Sequence, residues 1–129
     1  MSHIFPIRVY YEDTDMGGIV YYANYLKFIE RARSDWVREL GIDQRAMKQE
    51  GGTVFAVRRA ECDYLMAARF DDRLEVRTEV QSVSGARLVL RQQVNRDGET
   101  VFTALVTIVC VTDTGHPARL PANIRRILH

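Results

Sequence analysis

The feature that most limits how this chain can fold is a change of hydrophobic period, from helical to strand spacing, at the Gly51-Gly52 pair. Ahead of it, Tyr25, Ile29, Ala32, Trp36 and Leu40 recur at helical spacing, and Leu26, Phe28 and Val37 widen the apolar stripe. Lys27, Arg31, Ser34 and Arg38 fall on the opposite face, and Gly41 stands where a glycine just past the last turn stops a helix. The pattern predicts one long helix of roughly five turns at 3.6 residues per turn. A short helical turn around Gln44–Gln49 precedes the glycine break.

Beyond the break the period is two. Val54–Leu65 is a long strand candidate. Leu74, Val76, Thr78 and Val80 alternate with Glu75, Arg77, Glu79 and Gln81, as in a strand with one wet face. Ser84-Gly85 turns into a strand over Arg87–Asn95, in which Leu88, Leu90 and Val94 alternate with polar residues. Asp97-Gly98 then signals a hairpin into Thr100–Val111, whose nearly unbroken apolar run suits a central strand. Ile4–Tyr11 reads as a first strand, and the tail from His116 as a loop with a final helical turn. Hairpins make neighbours antiparallel, so the expected class is α+β, a sheet with one long helix on a face.

At 129 residues the chain is expected to form a single domain over 1–129. Its formal net charge of +1 and scattered arginines carry no nucleic-acid footprint. Ala104–Val111, the most apolar run, is too short to span a bilayer, and MSHIFPIRVYYED has no signal-peptide pattern. Cys62 and Cys110, far apart and in no Cys-x-x-Cys pair, read as reduced buried thiols, which points to the cytoplasm. There is no Gly-x-Gly-x-x-Gly, Walker or Gly-x-Ser-x-Gly motif, and His3, His116 and His129 have no metal-ligand spacing, so no metal site is expected.

Elimination leaves the carboxylates of EDTDMGGIVYYANY, Glu12–Tyr25. Glu12, Asp13 and Asp15 stand just ahead of a Gly-Gly turn and a helix start, where free N–H groups and the helix dipole favour a developing oxyanion. A carboxylate there can attack a held carbonyl or activate water, which suits a thioester because thiolate leaves easily. Gly17-Gly18 lets the backbone approach a ligand. A plain polar turn, with Asp side chains capping their own backbone, is the stronger reading on the pattern alone. Likewise Arg58, Arg59 and Arg69 suit phosphate or simply a solvated face.

VYYEDTDMGGIVYYANYLKFIERAR resembles the motif of hotdog-fold acyl-CoA thioesterases of the 4-hydroxybenzoyl-CoA thioesterase class. Within that class the chain is most similar to thioesterases associated with the Tol–Pal cell-envelope system. The likeness continues through YLMAARFDDRLEV, the Ser84-Gly85 turn, IVCVTD and LPANI, and so covers almost the whole chain. It implies a hotdog fold, a five-stranded antiparallel sheet wrapped around one long helix. Homodimers or homotetramers with sites at subunit interfaces are implied too. By motif position it makes Asp15 the catalytic carboxylate, Asp13 the holder of the turn and the Tyr22 backbone N–H the oxyanion donor. Gly18 and Tyr25 become substrate contacts, and Arg58, Arg59 and Arg69 candidates for the coenzyme phosphates. Close relatives carry Tyr-His-Ala where this chain has Tyr21-Tyr22-Ala23, which leaves acyl preference open.

The expected activity is hydrolysis of an acyl-CoA or acyl carrier protein thioester, Asp15 serving as nucleophile or general base. Coenzyme A enters only as part of substrate and product, with no metal or redox cofactor. The alternative is a non-catalytic thioester binder or envelope-associated scaffold. A hotdog hydratase is weaker, because such sites need a histidine that the motif lacks.

Overall fold

The long helix, α1, forms over Asn24–Glu39, and a computed structural model of residues 2–127 shows what it lies against. Tyr25, Phe28, Ile29, Ala32 and Val37 are buried, with Trp36 and Leu40 half-buried beside them. Leu26 is the exception to the expected stripe: it is exposed at the edge of that face. Gly41 adopts φ +82 and ends the helix as expected, the left-handed conformation being inexpensive only for glycine. The predicted turn after it is a full short helix, α2, over Gln44–Gly51. Asp43 caps it by accepting from the Arg45 and Ala46 N–H groups at 2.9 and 3.1 Å.

Six strands form one antiparallel sheet: β1 (Ser2–Arg8), β2 (Thr53–Tyr64), β3 (Arg73–Val83), β4 (Arg87–Arg96), β5 (Glu99–Thr112) and the two-residue β6 (Pro117–Ala118). Their order is β1-β3-β4-β5-β2, with β6 added to β5. The Asp97-Gly98 hairpin is present, both residues at positive φ, and β5 runs between β4 and β2 as its apolar composition requires. The inner faces of β3, β4 and β5 make one core with α1, among them Val76, Leu90, Val94, Phe102 and Val106.

Two expectations are corrected. β1 ends at Arg8 rather than Tyr11, because Asp13 takes the Tyr10 N–H on its side chain at 2.8 Å and a 3-10 turn follows over Tyr11–Asp13. The tail adds β6 and then α3 over Ala122–Arg125, the final helical turn that was expected. His129 lies outside the described residues.

One buried polar group fixes how α1 sits on the sheet. Gln92 of β4 is fully buried, and its Nε2 donates to the Ile29 carbonyl of α1 and to Thr78 Oγ1 of β3, each at 3.0 Å. Its Oε1 accepts from Arg33 Nη1 at 3.0 Å. A second tie joins β1 to the far end of α1, where His3 Nε2 lies 2.8 Å from Asp35 Oδ2 and 2.6 Å from Glu39 Oε2.

Candidate functional site

The acid–glycine turn is a closed backbone unit. The Asp15 N–H donates to the Ile19 carbonyl and the Gly18 N–H to the Asp15 carbonyl, at 2.9 and 3.0 Å, and Thr14 bridges Val20 across the turn. Gly18 takes φ +77 there, and a Cβ on it would meet nothing within 4 Å, so its requirement is conformational. Gly17 differs. Its N–H donates to Asp15 Oδ1 at 2.9 Å, and a Cβ on it would stand 3.2 Å from that same oxygen. Asp15 itself is exposed, and its Oδ2 has no hydrogen bond among the described residues.

Asp13, two residues earlier, is buried. Its carboxylate holds the Tyr10 N–H, and its carbonyl accepts from the Tyr21 N–H at 2.9 Å and from Asn24 Nδ2 at 2.8 Å. Asp13 braces the turn through these bonds, and the Asp15 side chain stands out from it. Asn24, the first residue of α1, clasps the turn to the helix start, a contact the sequence reading did not anticipate.

Just ahead of α1 the N–H groups of Tyr22 and Ala23 donate to no acceptor among the described residues, while the Asn24 N–H is used by the Tyr21 carbonyl at 2.8 Å. Free donors at a helix start carry the positive end of the dipole. Tyr22 is 61% exposed, and its carbonyl accepts from Tyr64 Oη at 3.1 Å, which fixes the peptide that carries the Ala23 N–H and follows the Tyr22 N–H. Asp15, Tyr22 and Tyr64 line a groove of 380 Å³ with Leu65, Met66 and, at its floor, Tyr25. Asp15, with one carboxylate oxygen unbonded, and Tyr22, with its N–H unused, therefore line one largely apolar groove.

Tyr25 is a core residue before it is a lining one. It is 3% exposed, its ring stacks on Phe102 at 4.8 Å, and its Oη accepts from the Ala68 N–H at 3.3 Å. Burial pushes its phenol up, the Ala68 bond opposing. Tyr64 completes the aromatic group, 5.7 Å from Tyr25 and 5.0 Å from Phe102. Tyr64 had no role assigned from sequence, although the alternation that predicts β2 places it at that strand's end.

The segment between β2 and β3 closes the groove's outer side. Val20 donates to the Ala68 carbonyl at 2.8 Å, and Ile19 bridges Arg69. Arg96 Nη1 straps this segment, bonding the Ala67 carbonyl and Asp72 Oδ2, each at 2.9 Å, and Asp72 also takes the Arg69 N–H at 2.8 Å. Burial raises the Asp72 carboxyl, but the Arg69 N–H and the Arg96 guanidinium outweigh it and hold the pKa below the usual carboxylate value.

The arginines proposed for phosphate do not gather. Arg69 is exposed beside the turn, whereas Arg58 and Arg59 lie on β2 and do not line the groove. Arg58 is the residue skipped where the β2–β5 register shifts, and Arg59 Nε pairs with Glu61 at 3.3 Å. Both cysteines are free, and burial pushes the Cys110 thiol up to about 11. Burial also raises Cys62, the nearby Asp63 adding to the shift.

His3, Asp35 and Glu39 bring possible ligand atoms within 4.8 Å of one another, away from the groove. His3 Nδ1 is buried with no partner, whereas a metal-bound imidazole ordinarily donates its second N–H. The cluster reads better as a polar tie between β1 and α1 than as a metal site.

Residues 9–128 match the family model of the thioesterase-like superfamily. The chain belongs to that superfamily. It is 42% identical over 127 residues to the acyl-CoA thioesterase YbgC of Haemophilus influenzae, covering 97% of this chain and 93% of that one. A probable thioesterase from Bartonella henselae superposes with a TM-score of 0.89 at 36% identity, over 94% of this chain and 100% of the other. At 23% identity, where only the fold is shared, 4-hydroxybenzoyl CoA thioesterase complexed with 4-hydroxybenzoyl CoA has a TM-score of 0.89, covering 95% and 94%. The thioesterase-like chain therefore has the expected hotdog architecture, its sheet enlarged by β6.

Proposed function

We propose that the protein is an acyl-CoA thioesterase, and that Asp15 and the Tyr22 N–H do the chemistry. The observation that carries this reading is the groove at the start of α1, lined by both Asp15, whose Oδ2 has no hydrogen bond, and Tyr22, whose N–H has none, among the described residues. The thioester carbonyl lies with its oxygen toward the Tyr22 N–H, whose dipolar setting stabilises the charge that develops there. Asp15 Oδ2 either attacks the carbonyl carbon, forming an anhydride that water then opens, or takes a proton from an attacking water. In both routes the C–S bond breaks, the thiolate leaves and is protonated, and a free acid remains. The chain's own groups and water suffice; no metal or redox cofactor takes part. The exposed mouth accommodates a coenzyme A or an acyl carrier protein arm.

The same reading assigns Arg69 to the coenzyme phosphates and Gly18 to close backbone contact. Arg58 and Arg59 join only through a second subunit paired along β2, an edge strand whose outer backbone groups are open. Their role and a dimer or tetramer therefore stand or fall together. The cytoplasm is the compartment this chemistry and two free thiols suit.

Asp15→Asn is the test, assayed as thiol release across acyl-CoAs of graded length and one aromatic acyl-CoA. Loss of a base or nucleophile costs ~10²–10⁴ in kcat, about 3–5 kcal/mol of barrier. KM and melting temperature should stay near the parent's. Asp13→Asn should instead lower stability, because the buried carboxylate braces Tyr10. A folded Asp15→Asn protein within a few-fold of parent activity rules the assignment out.

A further inference from the structure

Two groups that act on one carbonyl need a fixed separation, yet the chain between Asp15 and the Tyr22 N–H is built to bend. Gly17 and Gly18 both lie on it, Gly18 at φ +77. The bonds that close the turn run from the Asp15 N–H to the Ile19 carbonyl and from the Gly18 N–H to the Asp15 carbonyl. Both stay within the turn and do not reach the helix. Its position relative to α1 has to be set from outside.

Asn24 does this at two points. Its main-chain N–H donates to the Tyr21 carbonyl at 2.8 Å, and that carbonyl belongs to the same planar peptide as the Tyr22 N–H. Its side chain reaches back the other way, Nδ2 donating to the Asp13 carbonyl at 2.8 Å. A carbonyl only accepts, so the amide nitrogen must be the atom that faces it. The Asp13 carbonyl also takes the Tyr21 N–H at 2.9 Å, which closes a ring of hydrogen bonds through Asp13, Tyr21 and Asn24. One helix residue therefore grips the donor's peptide with its backbone and the acid's turn with its side chain. Among the described residues, no other side chain of α1 bonds to positions 13–20.

The residue type is informative. Asparagine near a helix start ordinarily caps it, its side-chain oxygen accepting an N–H of the first turn. Here the cap is Ala23, with no side-chain cap bond, and the Asn24 amide is turned to the Asp13 carbonyl instead. That carbonyl would keep the Tyr21 N–H as a partner without it, so the second bond is not needed to satisfy a buried acceptor. Asn24 is only half-buried and lies outside the apolar core. What it contributes is geometry.

We propose that Asn24 is a positioning residue for thioester hydrolysis: it fixes the Tyr22 N–H against the turn that carries Asp15 and touches no reacting atom itself. The inference rests on the chemistry proposed for Asp15.

The test measures thiol release from one acyl-CoA, alongside thermal unfolding, for Asn24→Leu, Asp15→Asn and the double variant. Leucine keeps the branching and about the size of asparagine but brings no donor and no charge. Since misplacing a reacting group by ~1 Å can cost ~10²-fold, Asn24→Leu should lower kcat by about 10–100-fold with KM within about two-fold of the parent. In the Asp15→Asn background the same change should cost less than about three-fold, because no carboxylate is left to place. Asn24→Ala, which favours the helix, should reproduce the loss of kcat and serves if Asn24→Leu does not fold. Parent-like kcat in these Asn24 variants while Asp15→Asn collapses overturns the inference and leaves Asp15 in place. An Asn24→Leu penalty that is undiminished beside Asp15→Asn, or that falls on KM, also overturns it. Parent-like kcat in Asp15→Asn overturns the proposed chemistry and this inference with it.

Discussion

The two glycines of the turn should fail in different ways, and that difference tests the geometry around Asp15 closely. At Gly17 an added methyl would stand 3.2 Å from Asp15 Oδ1, tighter than ordinary contact, while its φ lies outside the left-handed region. The backbone can therefore keep its path, and the carboxylate has to move by a few tenths of an ångström. The 2.9 Å bond from the Gly17 N–H to Oδ1 lengthens with it. Since misplacing a reacting group by ~1 Å can cost ~10²-fold, Gly17→Ala should lower kcat by about 10-fold. KM should move by less than about two-fold, because the groove walls do not change. At Gly18 the methyl meets nothing, but φ +77 costs an L-residue ~1–2 kcal/mol. Gly18→Ala should accordingly lower the melting temperature by roughly 3–8 °C while retaining most of kcat at 25 °C. The assay pairs thermal unfolding with thiol-release kinetics on both variants. If Gly17→Ala loses stability with kcat intact, or Gly18→Ala loses kcat with stability intact, the account of this turn is wrong.

Tyr64→Phe removes the bond to the Tyr22 carbonyl, worth ~0.5–1.5 kcal/mol, so kcat should fall by up to about 10-fold with little change in KM; parent-like kcat would show that the peptide needs no pin. Gln92→Leu strips partners from Thr78 Oγ1 and Arg33 and should cost ~2–3 kcal/mol, read as a lower urea midpoint at unchanged slope. An unaltered midpoint would mean that this network adds nothing net. Asp72 gives a pH signature. Its carboxyl is depressed in the folded state, so its stabilisation is complete above the ordinary carboxyl value near 4 and is lost as pH falls through the folded value. The stability gap between the parent and Asp72→Asn, measured by denaturation, should narrow on acidification below pH ~4. A gap independent of pH contradicts the Arg96 strap.

Local chemistry was readable and long-range pairing was not. Gly41 ended α1 as glycine at that place should, and Asp97-Gly98 turned the chain because both residues accept positive φ. By contrast, the position of β2 beside β5, at the far edge, comes from pairings such as Cys62 with Ala104, which no local signal encodes. Gln92 lay between. Leu88, Leu90, Gln92 and Val94 share one face by alternation, so its burial could have been inferred from period two, and its cross-strand partner Thr78 shares the face of Leu74 and Val76. The site divided in the same way. Asp13, Asp15 and Tyr22 sit within one short motif and could be singled out from it, whereas Tyr64 and Asn24 enter through contacts that only the folded chain makes. His3 meets Asp35 and Glu39 across 32 and more residues, and a search for ligand spacing along the chain misses it.

The donor assigned to the carbonyl is a main-chain amide, and that has a consequence for descent. The Tyr22 N–H lies just ahead of the helix start, and Tyr64 fixes the following peptide through the Tyr22 carbonyl, whatever the Tyr22 side chain is. Replacing that side chain, which is mostly in solvent, leaves the donor where it was. A lineage built on such a turn can exchange the residue that greets the acyl group, histidine for tyrosine among others, without rebuilding the reaction centre. Preference for one acid over another is then free to drift, generation by generation, over a chemistry that stays the same.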